Sequence, residues 1–259
     1  MLCRQGIFAL LAACSTVVVG STAADAFGLG QCYVRADVGY AWSVLDGATA
    51  QISPGFGTAT GPLQDGELGN AWFGEVGFGC GLMRASPLVG SIKDQPTVIS
   101  TPLGLRADVT FGFHGAREFH GTPINPPLPP PAFVDPASAK LRNSTLMFNG
   151  YFDFGTFHVF TPFIGAGIGA AFLDLDDVTF TNGVTVRLGS ANQTNLAWSL
   201  MAGISTDLGR GIKLDVAYRY LHLGDISLTN AALGYALQLD DVSEQQLRVG
   251  VRVPLWFSR

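Results

Sequence analysis

The sequence has little charge and lacks internal apolar runs long enough to cross a membrane as helices. Asp, Glu, Lys and Arg make up 14% of its 259 residues, whereas ordinary soluble chains carry about 25%, which excludes a conventionally solvated surface. Beyond the N-terminus, the longest apolar stretch covers residues 163–173 and is far shorter than the roughly 20 residues that a spanning helix needs. A bundle of transmembrane helices is therefore excluded as well.

The chain is instead apolar and rich in glycine. Hydrophobic residues make up 47% of it, Gly occurs 33 times and Phe 18 times, and its mean hydropathy is +0.30. Because only helices and closed barrels satisfy every backbone N–H and C=O inside lipid, this composition predicts a membrane β-barrel. The net charge of −5 and the lack of a Lys/Arg cluster argue against a nucleic-acid partner.

The N-terminus carries the features of an export signal. Residues 1–26 combine Arg4 with an apolar stretch and end in a small-x-small site at residues 24–26. We expect cleavage there, which leaves residues 27–259 as one barrel domain. The alternative is a lipobox at residues 11–14, which would leave a lipidated Cys14. Both interpretations predict export.

Two cysteines remain in the exported chain, Cys32 and Cys80. In an oxidising compartment they are candidates for a disulfide, and the alternative is a pair of unpaired buried thiols. They form no CxxC motif and have no accompanying His spacing, which makes a zinc site a poor interpretation. The sequence predicts no cofactor and no metal.

Period-2 alternation of apolar and polar residues is the dominant pattern. In residues 103–114, Leu105 and Val109 lie on the face opposite Arg106 and Asp108. Eight such segments predict an all-β, eight-stranded antiparallel up-and-down transmembrane β-barrel. The segments are residues 32–42, 70–82, 103–114, 145–154, 161–172, 195–205, 212–220 and 246–257.

The connections between these segments alternate in length, as in outer-membrane barrels with long external loops and short periplasmic turns. The long connection at residues 83–102 does not fit this alternation. The Pro-rich residues 123–136 predict a mobile external loop, and residues 178–186 predict a protruding hairpin that turns at Asn182 and Gly183. The four predicted external loops are residues 43–69, 114–140, 173–193 and 222–242.

Aromatic residues cluster at the two ends of the apolar faces, which predicts two belts at the headgroup zones. The loop-side belt comprises Tyr40, Trp42, Trp72, Phe111, Phe113, Phe172, Trp198, Tyr218 and Tyr220. The opposite belt comprises Phe154 and Phe257.

The last segment resembles the final strand of bacterial outer-membrane proteins, which carries a signal read by the barrel assembly machinery. Residues 33–40, 160–169 and 214–225 are similar to the small eight-stranded OmpA/OmpX-like and opacity-like barrels. The resemblance implies the outer membrane of a Gram-negative bacterium, with outer-membrane lipid, lipopolysaccharide, the assembly machinery and external surfaces as partners. The residues that correspond to the signal are Arg248, Gly250, Val253 and Leu255, with Phe257 as the aromatic near the C-terminus.

Charged residues share the face opposite the apolar one, and an eight-stranded barrel is just wide enough for side chains to fill it. Because buried ions persist only when they are paired, these charges predict a plugged lumen. The alternative is a narrow porin for ions or small solutes. The predicted lumen charges are Arg35, Asp37, Glu75, Arg106, Asp108, Asp153, Lys213, Asp215, Arg219, Arg248 and Arg252, with Asp207 and Glu244.

Three other interpretations remain open. A lipid A-modifying enzyme would use His114 and Ser144 at the rim, but the sequence supplies no third catalytic member. The acidic run Asp174, Asp176 and Asp177 suggests a calcium loop, yet it lacks the Gly and distal Glu of an EF-hand and is more typical of a solvated loop. A soluble lipocalin-type barrel would turn the apolar face inward. We therefore predict a non-enzymatic outer-membrane barrel with a structural or surface role.

Overall fold

The structure is a computed structural model that describes residues 31–52, 59–84, 103–123, 136–182 and 184–255. Within these ranges we find no helix with the length and apolarity to cross a membrane. The predicted signal at residues 1–26, the lipobox, and most of both the 83–102 connection and the Pro-rich segment lie outside the described residues.

The described residues form ten antiparallel strands, and eight of them close into a ring in the order β1, β4, β5, β6, β7, β8, β9 and β10, where β10 pairs with β1 again. The predicted eight-stranded up-and-down barrel is confirmed. The strands are β1 (Cys32–Val44), β2 (Gly47–Ile52), β3 (Ala59–Leu68), β4 (Ala71–Arg84), β5 (Gly104–Pro123), β6 (Ala137–Asp153), β7 (Phe160–Asn182), β8 (Val184–Gly209), β9 (Ile212–Asn230) and β10 (Tyr235–Pro254).

The apolar face of the barrel points outward and the charged face points inward. On β5, Val109 is 47% exposed, whereas Arg106 and Asp108 are buried. A strand places successive side chains on opposite faces, so parity assigns the positions of a strand up to the next bulge once one residue is placed. This orientation excludes the lipocalin-type alternative, in which Val109 would point at the barrel axis.

The strands run well beyond the predicted membrane segments, so the described residues of the four predicted external loops are mostly strand, which corrects the prediction; residues 53–58 and 124–135 lie outside the described residues. Strand β7 shows the reason. Its outward residues change from Ile164 and Ile168 to Asp174, while its inward residues change from Gly167 to Leu173. Beyond the lipid the outer face meets water and must be polar, so the apolar residues move inside without a break in the alternation.

These strand extensions enclose a cluster of buried apolar side chains, which we call the external core. Its large members, Phe119, Leu141, Leu175 and Phe180, are almost wholly buried. The complete set is Ala48, Ala50, Leu63, Leu68, Phe119, Ala137, Ala139, Leu141, Met147, Ala171, Leu173, Leu175, Val178, Phe180, Leu188, Ala197, Leu221, Leu223, Ile226, Leu237, Leu239 and Val242.

The β2–β3 hairpin, which falls in the first predicted loop, takes the place of β1 and β4 in the external wall. Strand β2 pairs with β10, from Ile52 opposite Tyr235 to Gly47 opposite Asp240. Strand β3 pairs with the end of β5. The predicted protruding hairpin at residues 178–186 is the tip of β7 and β8, where Thr181 lies opposite Thr185.

A disulfide joins β1 to β4. Cys32 lies opposite Cys80 in the register of the two strands, and the two sulfurs are bonded. Both positions share the parity of the outward residues Val34 and Phe78. The oxidation state of these cysteines in the cell stays a prediction.

The barrel interior as candidate functional site

The centre of the lumen is organised around Arg35. Its guanidinium donates to both oxygens of Asp37, at 2.7 and 2.8 Å, and to Asp108 at 2.7 Å. It also donates to the hydroxyl of Tyr151 at 2.8 Å, and Asn149 donates to the second oxygen of Asp108 at 2.9 Å. Five side chains from three strands are thereby held in one geometry.

Glu75 provides a second centre on β4. Its two oxygens accept hydrogen bonds from Arg219 at 2.7 Å and from Arg248 at 3.0 Å. Arg248 also donates to the Tyr151 hydroxyl at 3.3 Å, which links this centre to that of Arg35. All of these side chains are buried, so we treat the two centres together as the lumen network.

At the short-turn end, two further pairs continue the lumen network. Arg252 forms an ion pair with Asp215 at 2.7 Å. Arg106 pairs with Asp153 at 3.1 Å and lies 3.9 Å from the ring centroid of Tyr151. A guanidinium above an aromatic face is stabilised electrostatically as well as by packing.

Lys213 and Asp207 differ from the prediction that places them in the lumen. They pair with each other at 3.1 Å, and their side chains are 39% and 52% exposed. Both residues flank the short turn after β8, where the lumen ends and water reaches the side chains.

At the opposite end, His114, Arg117 and Glu244 form a buried cluster beneath the external core. His114 Nδ1 lies 3.0 Å from Glu244, and Arg117 donates to the other oxygen of Glu244 and to Ser43 at 2.9 Å. Sequence reasoning assigned Arg117 to a loop and missed it. Arg117 shares the parity of Phe119 but not that of His114, because the β5–β6 register shifts between His114 and Arg117; the alternation of residues 103–114 alone would therefore have placed Arg117 on the outer face.

The geometry overturns the candidate catalytic pair. His114 is buried and stacks on Phe73 with centroids 5.2 Å apart, whereas Ser144 has the outward parity of Phe113, its partner in the register. Since the two side chains point to opposite faces of the wall, they cannot form a nucleophile and base.

The acidic run is part of strand β7 and not a loop, which corrects the sequence-based interpretation. Asp176 lies 3.2 Å from Arg142, and Asp177 lies 3.9 Å from Lys140. Across the described ranges, no group of three or more His, Cys, Asp or Glu side chains is arranged to hold a metal ion.

The interior is balanced in charge over the described residues. Six arginines face six carboxylates, and each of the twelve has a partner of opposite sign within 3.1 Å. Removing ions from water is costly unless pairing and hydrogen bonds compensate, so the pairing explains how a narrow lumen tolerates this many charges. The arginines are Arg35, Arg106, Arg117, Arg219, Arg248 and Arg252, and the carboxylates are Asp37, Glu75, Asp108, Asp153, Asp215 and Glu244.

The residues of the predicted assembly signal have different surroundings. Arg248 belongs to the lumen network, and a Cβ on Gly250 would collide with the Asp37 carboxylate. Val253 is 41% exposed on the outward face, Leu255 follows the end of β10, and Phe257 lies outside the described residues. Their role in assembly stays a prediction.

A closed eight-stranded barrel with an apolar outside and a paired ionic inside defines an integral outer-membrane β-barrel protein. Its place is the outer membrane of a Gram-negative bacterium. Residues 7–253 match the model of the outer membrane protein beta-barrel domain. The chain belongs to this family.

The relatives carry outer-membrane and adhesin names. The outer membrane protein PagN of Salmonella typhimurium is 34% identical over 38% of this chain and 43% of its own length, so the match spans less than half of PagN. A Rickettsia felis protein with a provisional adhesin name is 28% identical over 61% of this chain and 75% of its own length. Neisserial surface protein A is a solved structure with 19% identity and a TM-score of 0.43, over 88% of this chain and 99% of its own.

Proposed function

We propose that this protein is a non-enzymatic surface protein that contacts external surfaces through the turns at the tip of its external wall and contributes to the integrity of the envelope. The observation that carries the proposal is the filled interior. The lumen network occupies the barrel within the membrane and the external core occupies the wall above it.

A filled cylinder is stiff, because its wall is backed by close-packed side chains. Such a cylinder is suited to hold loops at a defined distance from the membrane, and loops on a rigid scaffold commonly carry binding functions. The adhesin names of the relatives agree with this role. Arg35, Glu75 and Arg219 serve the scaffold in this proposal and touch no external partner.

The proposed partners follow from the location of each surface. The outward apolar belt contacts outer-membrane lipid, and the polar wall above it contacts lipopolysaccharide. The C-terminal residues around Gly250 and Val253 engage the barrel assembly machinery.

Adhesion can be tested in an otherwise non-adherent Gram-negative host that expresses the protein. Replacement of residues 124–135 by a Gly/Ser linker of equal length should abolish adherence to cultured epithelial cells, while a matched replacement of the turn residues Arg210 and Gly211 should retain it. A heat-modifiability gel on outer-membrane fractions first establishes that both variants are folded. Equal adherence of both variants and of a vector-only host would refute the proposal.

The filled lumen also predicts electrical silence in planar bilayers. Stepwise single-channel conductance from the folded protein would contradict the plugged interior and favour the narrow porin instead.

A further inference from the structure

Three glycines, Gly77, Gly79 and Gly81, occupy inward positions of β4 toward the short-turn end of the barrel. Arg35 of β1 lies opposite Gly77, and Tyr33 lies opposite Gly79. A Cβ on Gly77 would meet the Arg35 Cγ at 3.2 Å, and a Cβ on Gly79 would meet the Tyr33 Cζ at 2.7 Å. Inward side chains of β1 therefore cross the bare backbone of β4.

This crossing brings side chains of β1 to β5, two strands away. The Arg35 guanidinium donates to Asp108 at 2.7 Å, and the Tyr33 hydroxyl donates to the same carboxylate at 3.2 Å. Both contacts need one register of β1 on β4, because a displacement by two residues moves each side chain about 7 Å along the strand. Strand β1 also pairs with β10 to close the ring, so its register decides both the lumen network and the closure.

The neighbouring side chains of β1 and β4 do not select this register. A slip by two residues keeps every side chain on its own face, and it would place Arg35 opposite Gly79 or Glu75. Glycine presents no steric obstacle, and Glu75 presents an opposite charge. On the outer face, the slip exchanges one apolar neighbour of Val34 for another. Strands rich in glycine are prone to such slips.

The cysteine pair does select the register. Cys32 lies opposite Cys80 in the native alignment, whereas a two-residue slip would place it opposite Phe78 or Leu82. The Cα atoms of Cys32 and Cys80 would then be about 8 Å apart, beyond the roughly 7 Å that a disulfide can bridge. Among these alignments, the bond between the two sulfurs is compatible with the native one alone.

The disulfide lies inside the apolar belt of the barrel. Leu82 and Leu105 are 39% and 36% exposed on the outer face, and both lie nearer the short turns than Cys80. On the other side, the N–H of Leu255 donates to the carbonyl of Cys32 at 2.8 Å. Lipid therefore covers the two sulfurs once the barrel is inserted, and a water-soluble protein no longer reaches them.

We propose that a soluble protein disulfide of the periplasm oxidises Cys32 and Cys80 before the barrel inserts, and that the resulting bond fixes the register of β1 on β4. The two S–H bonds of the chain break and one S–S bond forms. The two electrons and two protons pass to the disulfide of the oxidant, which leaves as a dithiol. Strand β1 then enters the membrane already aligned, with Arg35 and Tyr33 placed to meet Asp108.

The role in register is tested by refolding the urea-unfolded mature protein into phosphatidylcholine vesicles and measuring the heat-modifiable fraction. We expect the double variant Cys32→Ser, Cys80→Ser to give at least fivefold less folded protein than the oxidised native chain. In that background, Val34→Cys with Phe78→Cys moves the bond to the next outward pair of the same register. Oxidation of this pair in urea should restore the native yield.

The matched control carries Val109→Cys and Phe148→Cys in the same cysteine-free background, where they form an outward pair between β5 and β6. Its disulfide cross-links the chain without acting on β1, so the yield should stay low. Equal yields from the native and cysteine-free proteins, or full rescue by the β5–β6 bond, would overturn the role in register.

The order of events is tested on the reduced native protein. A purified periplasmic thiol–disulfide oxidase is added either to the chain in dilute urea before vesicles are supplied, or to the heat-modifiable protein after folding. Maleimide gel shifts count the remaining thiols over time. We expect Cys32 and Cys80 to be oxidised at least tenfold faster in the unfolded chain, and equal rates in the two states would contradict oxidation before insertion.

Discussion

The lumen network makes a quantitative prediction at Glu75. The substitution Glu75→Gln keeps the shape of the side chain and removes its charge. In the native protein Glu75 is 2% exposed and accepts hydrogen bonds from Arg219 at 2.7 Å and Arg248 at 3.0 Å. In the variant, two buried guanidinium groups lose their shared carboxylate, and the amide N–H₂ of the glutamine is brought against one of these donors.

Two independent considerations set the magnitude. Hydrogen bonds to charged groups contribute about 1.5–3 kcal/mol each, and Glu75 accepts two of them. Removal of one partner from a buried ion pair typically costs about 3–5 kcal/mol, because a charge is left buried without compensation. We therefore expect Glu75→Gln to lower the free energy of unfolding by about 3–5 kcal/mol.

The measurement is equilibrium urea unfolding in phospholipid vesicles, followed by tryptophan fluorescence and by gel mobility without heating. Glu118→Gln is the matched control, because the Glu118 side chain is 67% exposed and its nearest ionic partner, His120, is 3.8 Å away. Exposed pairs contribute little, so we expect no measurable change in the control. If Glu75→Gln lowers the free energy of unfolding by less than about 1 kcal/mol, or if both variants lose the same amount, the account of the lumen network is refuted.

Three further predictions follow from the same structure. Val109→Arg on the lipid face should lower the free energy of unfolding by about 2–4 kcal/mol in vesicles, whereas Val109→Leu should be neutral, and equal stability of the two would contradict the outward orientation. Gly167→Ala should lower the free energy of unfolding by about 1–3 kcal/mol in a urea titration, because the added Cβ would press on lumen side chains. Gly150→Ala, which has open space around its Cβ position, should leave the free energy of unfolding unchanged. A larger loss of stability for Gly150→Ala than for Gly167→Ala would contradict the packing argument. Maleimide labelling of the unreduced, unfolded mature protein should leave Cys32 and Cys80 unmodified, and two labelled cysteines would show that the disulfide does not form in the cell.

The barrel and the direction of its faces were predictable because both follow from local parity. Residues two apart share a face, so Arg106 and Val109 could be assigned to opposite sides without knowledge of any pairing. The same argument placed Glu75 and Arg219 in one lumen. It did not identify them as partners, since they are 144 residues apart and meet only through the closure and register of the ring.

The external wall was missed for a different reason. The predicted segments all have one apolar outer face, and that polarity reverses in β7 between Ile168 and Asp174 while the alternation continues. Arg117 lay in such a region and was assigned to a loop. Alternation of either sign extends β5 and β7, but the bulge between His114 and Arg117 reverses the parity of β5, so only the register of β5 against β6 shows that Arg117 points inward.

The sequence by itself determined that the chain forms a lipid-exposed β-barrel with a charged interior, because composition, the lack of spanning helices and period-2 parity are properties of neighbouring residues. Only the tertiary structure decided which charges pair, that the β2–β3 hairpin replaces β1 and β4 in the external wall, and that the ladder between β8 and β9 ends at Trp198. These features depend on the register between strands that are distant in sequence. The end of the β8–β9 ladder also depends on a bulge at Gly224, which bends β9.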